Sequence, residues 1–387
     1  MKVAISHDYL FQFGGAEKCV ENWLKIYPQA DIYTSFSLPH KFDSSPEISR
    51  AFKENRVKNS LANLLFKIPW MVKFQKHLFW LYPLTMSLFN LKNYDLVIVS
   101  ATYCGKNVRI EKAKKILFYC YTPTRFLWKL VTEVDQKNIN PVLRFLIPIF
   151  LWPLRLNDQR AIKYLQQRGA VFIGISNYIQ DLIQQKYNQK AIVIYPPVDT
   201  EQFLKLPRNE DTKDPFYVYF SRISFHKRLD LAIISCLELG KKLKIIGESS
   251  FLPEKIKLQK IISDYEEIHP ESKGLVEFLG RLPDQDRNDV LSKAKAMLFT
   301  PKEDFGIAPV EAQAMGCPVI AFKAGGALEY VTEGVNGTFF AEQTVDSLKK
   351  AILDFEKITN WDTAKIKQSS TKFSNHSFQQ EFKDLAN

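Results

Sequence analysis

The chain lacks any Cys-x-x-Cys pair, and its five cysteines, Cys19, Cys104, Cys120, Cys236 and Cys317, are odd in number and scattered. That argues against a disulfide framework or a structural zinc site and fits reduced thiols. Its longest uncharged apolar runs, at residues 78–89 and 145–154, fall short of the roughly 20 residues that a membrane-spanning helix needs. No block of five or more basic residues and no RNA- or DNA-binding signature is present, so nucleic acid is not an expected partner. No repeat or low-complexity segment is evident. Met1-Lys2 leads directly into apolar Val3-Ala4-Ile5, so no signal peptide is expected and a cytoplasmic location is.

What is present is a globular composition: 46% hydrophobic and 25% charged residues in 387 positions, enough for two domains. The net charge of +11 favours polyanionic partners, either phosphorylated substrates or anionic lipid. Short apolar runs alternate with helical patterns, which predicts an α/β fold with parallel sheets. Strands are expected at 3–6, 96–100, 116–120 and 171–176, and then at 216–223, 243–247, 276–280, 296–300, 319–322 and 338–340. A helix is expected to follow Gly14-Gly15, with Ala16, Cys19, Val20, Trp23, Leu24 and Tyr27 on one face. The Pro196-Pro197 pair and the polar run to residue 214 predict a linker, and residues 348–387 read as polar and helical.

The densest chemistry lies in Glu303-Asp304-Phe305-Gly306-Ile307-Ala308-Pro309-Val310-Glu311. If a helix begins near Gly306, Glu303 sits in the loop before it and Glu311 inside it. The unpaired N–H groups of a helix start attract phosphate, and carboxylates suit sugar or ribose hydroxyls. Arg222 and Lys227 lie five apart at the end of an expected strand, where such sheets bind ligands, and can neutralise a diphosphate. Asp284-Gln285-Asp286 opens an expected helix, where Asp is an ordinary cap, and no metal is expected to bind there. Basic and aromatic residues crowd 55–92 (Trp70, Phe74, Phe79, Trp80, Tyr82 and Phe89 with several Lys), and 144–155 places an apolar aromatic run between Arg144 and Arg155. Such stretches either cover a core or lie against an anionic membrane surface, and membrane contact is expected here.

Ser221-Arg222, Lys227, Phe278-Leu279-Gly280-Arg281, the two-glutamate stretch, Gly316-Cys317-Pro318-Val319-Ile320-Ala321 and Gly325-Gly326 together resemble the retaining GT-B glycosyltransferases of family four. The resemblance is best over residues 216–340. Gly14-Gly15-Ala16-Glu17 is similar to that family's first loop. His7-Asp8-Tyr9 and Tyr119-Cys120-Tyr121-Thr122-Pro123 look like bacterial O-antigen and exopolysaccharide mannosyltransferases. The resemblance implies two Rossmann-like domains with parallel sheets facing each other across a cleft. It implies an acceptor-side domain at 1–200, a nucleotide-sugar domain at 201–365 and a C-terminal helix at 366–387 that packs back on the first domain. It implies a metal-independent, retaining enzyme without a cofactor, moving mannose from GDP-mannose to a lipid-linked or polysaccharide acceptor at the inner face of the cell membrane.

By the same resemblance, Glu303 contacts the donor sugar, Glu311 holds the ribose, and Arg222 and Lys227 hold the diphosphate. Phe305, Gly306, Ile307 and Ala308 offer backbone N–H groups to the donor, as do Gly14 and Gly15. Gly247, Leu279 and Gly280 border the base. Tyr121 stands where the subgroup carries His, which implies a modified sugar contact. His7 and Asp8 either face the acceptor or cap their loop. The alternatives are a UDP-sugar donor, and a non-catalytic homologue that binds nucleotide sugar or lipid.

Overall fold

The computed structural model describes residues 1–128, 141–209, 214–249 and 252–386. It divides into two units, Met1–Pro197 with Phe378–Asn387, and Val198–Ser377. The expected boundaries at 200/201 and 365/366 thus stand against observed ones at 197/198 and 377/378. Part of the expected linker, residues 210–213, lies outside the described residues.

The first unit is built on β1 (Val3–His7), β2 (Asp31–Thr34), β3 (Val57–Asn59), β4 (Leu96–Ala101), β5 (Lys115–Cys120), β6 (Val171–Gly174) and β7 (Ile192–Val193). All pairs are parallel, in the order β3-β2-β1-β4-β5-β6-β7. β1 and β4 are buried at every position, which is why they read as unbroken apolar runs. β2 and β3 escaped the sequence reading. They lie toward one edge, are half-buried, and carry Asp31, Tyr33, Lys58 and Asn59 where a buried strand would be apolar.

The end of the chain completes this unit's core. Helix Asn375–Ala386 carries Phe378 and Phe382 one turn apart, so both rings meet the same surface. Their centroids lie 5.7 and 5.2 Å from Trp23, and 5.9 and 5.5 Å from Tyr119. Gln379 Nε2 donates to Asn22 Oδ1 at 2.8 Å beside them.

The second unit carries β8 (Phe216–Phe220), β9 (Lys242–Ile246), β10 (Val276–Gly280), β11 (Met297–Phe299), β12 (Val319–Phe322) and β13 (Gly337–Phe340), parallel and ordered β10-β9-β8-β11-β12-β13. Its core joins Tyr217, Ile245, Leu298 and Ile320 of the sheet to Leu229, Ile233, Leu348 and Ile352 of helices Leu229–Glu238 and Val345–Glu356. In both sheets the order reverses beside the first strand, at β1/β4 and at β8/β11. Doubly wound sheets open a crevice at the carboxyl ends of such strands.

Candidate active site

Parallel strands bring their C-terminal ends to one edge, so residues far apart in sequence converge there. In the second unit Arg222 and Lys227 follow β8, Gly247 follows β9, Leu279 and Gly280 end β10, and Glu303 follows β11. Gly247 N–H donates to Gly280 O at 2.8 Å, tying two of these ends together. Lys227 and Glu303 come from the two strands flanking the order reversal, and they meet: Nζ lies 2.5 Å from Oε1. Their side chains keep 20% and 25% exposure, so the pair is shielded but reachable. Arg222 is exposed and makes no ion pair among the described residues.

The turn that carries Lys227 is held from beneath. Tyr219 Oη donates to Lys227 O at 2.5 Å, and the Thr300 hydroxyl shares its one proton between Lys227 O and Arg228 O, at 2.9 and 2.8 Å. Tyr219 and Thr300 are buried, and burial pushes the Tyr219 phenol above its usual range, so it stays a donor. Arg228 takes a left-handed conformation (φ 50°), which costs an ordinary residue of order 1 kcal/mol or more. The two hydroxyls hold the neighbouring backbone in place against that cost.

The Glu303 loop lies on the double glycine. Gly326 N–H donates to Glu303 O at 2.8 Å, and a Cβ on Gly326 would sit 2.1 Å from Phe305 O, so glycine alone allows this approach. Phe305 is buried against Tyr330 and Phe373 at 5.9 and 5.4 Å between centroids. Its ring anchors the loop in the core. Gly306 (φ +101°) then starts helix Ile307–Ala314, whose first N–H groups, those of Ile307 and Ala308 included, have no partner within the helix. Tyr330 Oη lies against Gly306, is buried, and has no hydrogen-bond partner among the described residues. Burial, with the Glu303 and Glu329 charges, pushes this phenol well above its usual range. Glu311 sits one turn into the helix with 6% exposure.

The first unit repeats the convergence at β1/β4. Asp8 is buried, and its carboxylate accepts from the N–H groups of Thr102 (2.8 Å), Tyr103 (3.0 Å) and Gly105 (2.7 Å). Of the two roles left open for Asp8, this geometry is that of a loop cap. His7 Nδ1 lies 2.9 Å from Ser100 Oγ, and Ser100 Oγ lies 2.8 Å from Tyr121 Oη. Tyr121 Oη donates to Ala16 O at 3.0 Å. A phenol has one proton, and Ala16 O can only accept, so Ser100 gives its proton to Tyr121 and His7 Nδ1–H donates to Ser100. Burial pushes the Tyr121 phenol well above its usual range, which keeps that proton in place. Nε2 of His7 faces Glu17 Oε1 at 3.7 Å. Gly14 precedes helix Gly15–Ile26 and its carbonyl accepts from Lys18 N–H at 2.9 Å.

The sequence reading missed Tyr219, Thr300, Tyr330 and Ser100. Asp284 and Asp286 occupy the first turn of helix Asp284–Lys293 after Pro283, and Asp284 accepts from Arg287 Nη1 at 2.8 Å. Among the described residues, no group of three or more His, Cys, Asp or Glu is placed to hold a metal ion. An open hollow of about 620 Å³ at Met1, Asp95, Leu96, Lys114, Lys115 and Ala386 lies at the opposite, N-terminal edge of the first sheet. It is remote from this chemistry.

The fold and the strand-end site define a GT-B glycosyltransferase architecture. The whole chain superimposes on Anabaena HepE, solved with UDP and glucose, with a TM-score of 0.64, 18% identity, and coverage of 100% of this chain and 99% of that one. Residues 200–372 match the model of the family "Glycosyl transferases group 1". Among curated proteins, an uncharacterized glycosyltransferase of Methanocaldococcus jannaschii is 28% identical over 55% of this chain and 58% of its own length. The mouse alpha-1,3/1,6-mannosyltransferase ALG2 is 27% identical over 59% of this chain and 56% of its own. The chain therefore spans a little over half the length of these curated relatives.

Proposed function

We propose that the chain is a retaining glycosyltransferase of family four that moves mannose from GDP-mannose to a lipid-linked or polysaccharide acceptor in cell-surface glycan synthesis. The observation that carries this reading is the Lys227–Glu303 pair, set at the order reversal of a sheet whose residues 200–372 match group 1. The likeness to a mannosyltransferase supports mannose. In this reading the diphosphate lies against Arg222, Lys227 and the start of helix Ile307–Ala314, where charge builds as the glycosidic bond breaks. Glu303 contacts the sugar, Glu311 the ribose, and Gly247, Leu279 and Gly280 border the base. The acceptor oxygen attacks the face that the diphosphate leaves, and the leaving phosphate takes the acceptor's proton. Two cations serve the diphosphate, so no metal ion or cofactor is invoked. The enzyme works at the inner face of the cell membrane.

A second reading, a UDP-sugar donor, draws on HepE, solved with UDP and glucose. Incubating the protein with GDP-mannose and with UDP-sugars separates the two. Turnover of GDP-mannose, with an α-linked product by NMR, supports the first; turnover of UDP-sugars alone overturns it. A third, non-catalytic reading draws on Tyr121, whose hydroxyl is committed to Ala16 and Ser100. It fails if the wild type turns over a donor and Glu303→Gln does not.

A further inference from the structure

The exposed aromatic and aliphatic side chains of the first unit are not scattered. Leu61, Leu64, Ile68, Trp70, Phe74, Trp80, Leu84 and Leu88 are all exposed within one segment, and Ile149, Phe150 and Trp152 are exposed on one helix. Single exposed apolar residues are ordinary, but a cluster marks an interaction surface.

The local geometry explains how one segment both anchors and projects. Leu61–Lys67 and Pro69–His77 are 3₁₀ helices, in which residues three apart eclipse. Leu61, Leu64 and Lys67 therefore form one exposed row, and Trp70 with Lys73 another. Ala62 and Phe66 turn inward, where Phe66 packs on Phe36 at 4.6 Å between centroids. The row that would be polar on a water-facing surface is leucine, tryptophan and lysine instead.

The second cluster joins the first through packing. Phe79 meets Phe126 at 5.4 Å, in helix Arg125–Trp128, and Arg155 Nε donates to Leu127 O at 2.7 Å from helix Pro141–Gln167. That helix is fixed by its second half, where Asp158, Ala161, Ile162 and Leu165 are buried and Tyr164 Oη donates to Ile110 O. Its first half presents Ile149, Phe150 and Trp152. The side chains of residues 141–146 lie outside the described residues. No helix among the described residues is long and apolar enough to cross a membrane.

The charge pattern names the partner. Residues 55–94 contain six Lys and Arg and no Asp or Glu, and residues 136–157 contain three and none. Lys67 and Lys73 are exposed and make no ion pair among the described residues. We propose that this face, from Leu61 to Leu88 and across Ile149, Phe150 and Trp152, docks on an anionic phospholipid bilayer, its rings entering the headgroup layer and its lysines meeting lipid phosphates. The proposal does not depend on the sugar donor, and its test uses no nucleotide.

The test is co-sedimentation of the full chain with vesicles of phosphatidylcholine, and of phosphatidylcholine and phosphatidylglycerol in equal parts. The expected result is binding to the mixed vesicles, at least tenfold weaker binding to neutral ones, and release by salt, since each Lys near such a surface is worth about fivefold. Lys67→Gln with Lys73→Gln should weaken binding by one to two orders of magnitude, roughly the product of two such effects. Trp70→Ser, Phe150→Ser and Trp152→Ser together should abolish it. All five side chains are exposed, so far-UV circular dichroism and the melting temperature should be unchanged; the lysine variant alone decides if the triple variant misfolds. Equal binding to both vesicles, or unchanged binding of the variants, overturns the proposal. So does a wild-type dimer that the triple variant dissolves while vesicle binding persists.

Discussion

Lys227 Nζ stands 2.5 Å from Glu303 Oε1, so the cation that the proposed reading sets against a donor's diphosphate is already paired with a carboxylate. An incoming diphosphate competes with Glu303 for that ammonium. Replacing Glu303 with Gln removes the competitor and leaves the shape of the site. We expect Glu303→Gln to bind free nucleoside diphosphate about tenfold tighter, the scale of one charge-assisted hydrogen bond, while transfer slows. Lys227→Ala should do the reverse to binding and should also slow transfer, by about 10²–10³ for a lost transition-state cation. Calorimetry with GDP, paired with turnover of both variants, checks this. Weaker GDP binding by Glu303→Gln would show that the two side chains do not compete.

Tyr121 offers a different separation. Its hydroxyl bridges Ser100 and Ala16, both in its own domain. Tyr121→Phe leaves the buried Ser100 hydroxyl without its acceptor and takes one donor from the half-buried Ala16 carbonyl, at a cost of about 1–3 kcal/mol. We expect a lower melting temperature with the donor KM nearly unchanged. A raised KM at unchanged melting temperature would instead put the hydroxyl on the sugar. A gain in activity for Tyr121→His would likewise place this position against the sugar.

These two sites also show what a sequence discloses. Continuous apolar runs such as Val319-Ile320-Ala321 mark strands buried on both faces, because such a strand has no polar side to alternate with. Glu303 and Lys227 stand out because charged residues in turns just after strands have few structural uses, and Glu303 also precedes a glycine, Gly306. Tyr219 and Thr300 do not stand out. They act on the backbone carbonyls of Lys227 and Arg228, groups that every residue type shares, so no pattern announces them. The His7–Ser100–Tyr121 chain is hidden for another reason: its members lie on three strand ends, and only the sheet order brings them together. β2 and β3 were missed because the edge strand and its half-buried neighbour tolerate the polar residues that disguise them.

Gly326 tests the support of the Glu303 loop. A methyl group there would sit 2.1 Å from Phe305 O, a backbone atom that can yield only if the loop moves. Gly326→Ala should destabilise the second domain by about 1–3 kcal/mol, the usual cost of overpacking. Because the same loop leads into the start of helix Ile307–Ala314, against which the proposed diphosphate lies, donor binding should weaken as well. Melting curves and GDP titration read the two effects separately. An unchanged melting temperature would mean that the loop is not seated on the double glycine.

Glu356 gives the second domain a contribution to stability that depends on pH. Its partial burial opposes ionisation, but hydrogen bonds from Lys241 (2.8 Å), Lys295 (2.6 Å) and Tyr217 (3.0 Å) outweigh that and draw its carboxyl from 4.5 down to about 2. A carboxylate whose folded pKa is depressed binds fewer protons folded than unfolded between those values. It therefore stabilises the fold fully above the ordinary value, and the contribution drains away as the pH falls toward about 2. Glu356→Gln should lower the melting temperature at neutral pH. The gap between wild type and variant should then narrow through the acid range, as the wild type loses what the variant never had. A gap that stays constant with pH would show that the three donors stabilise Glu356 no more than water does.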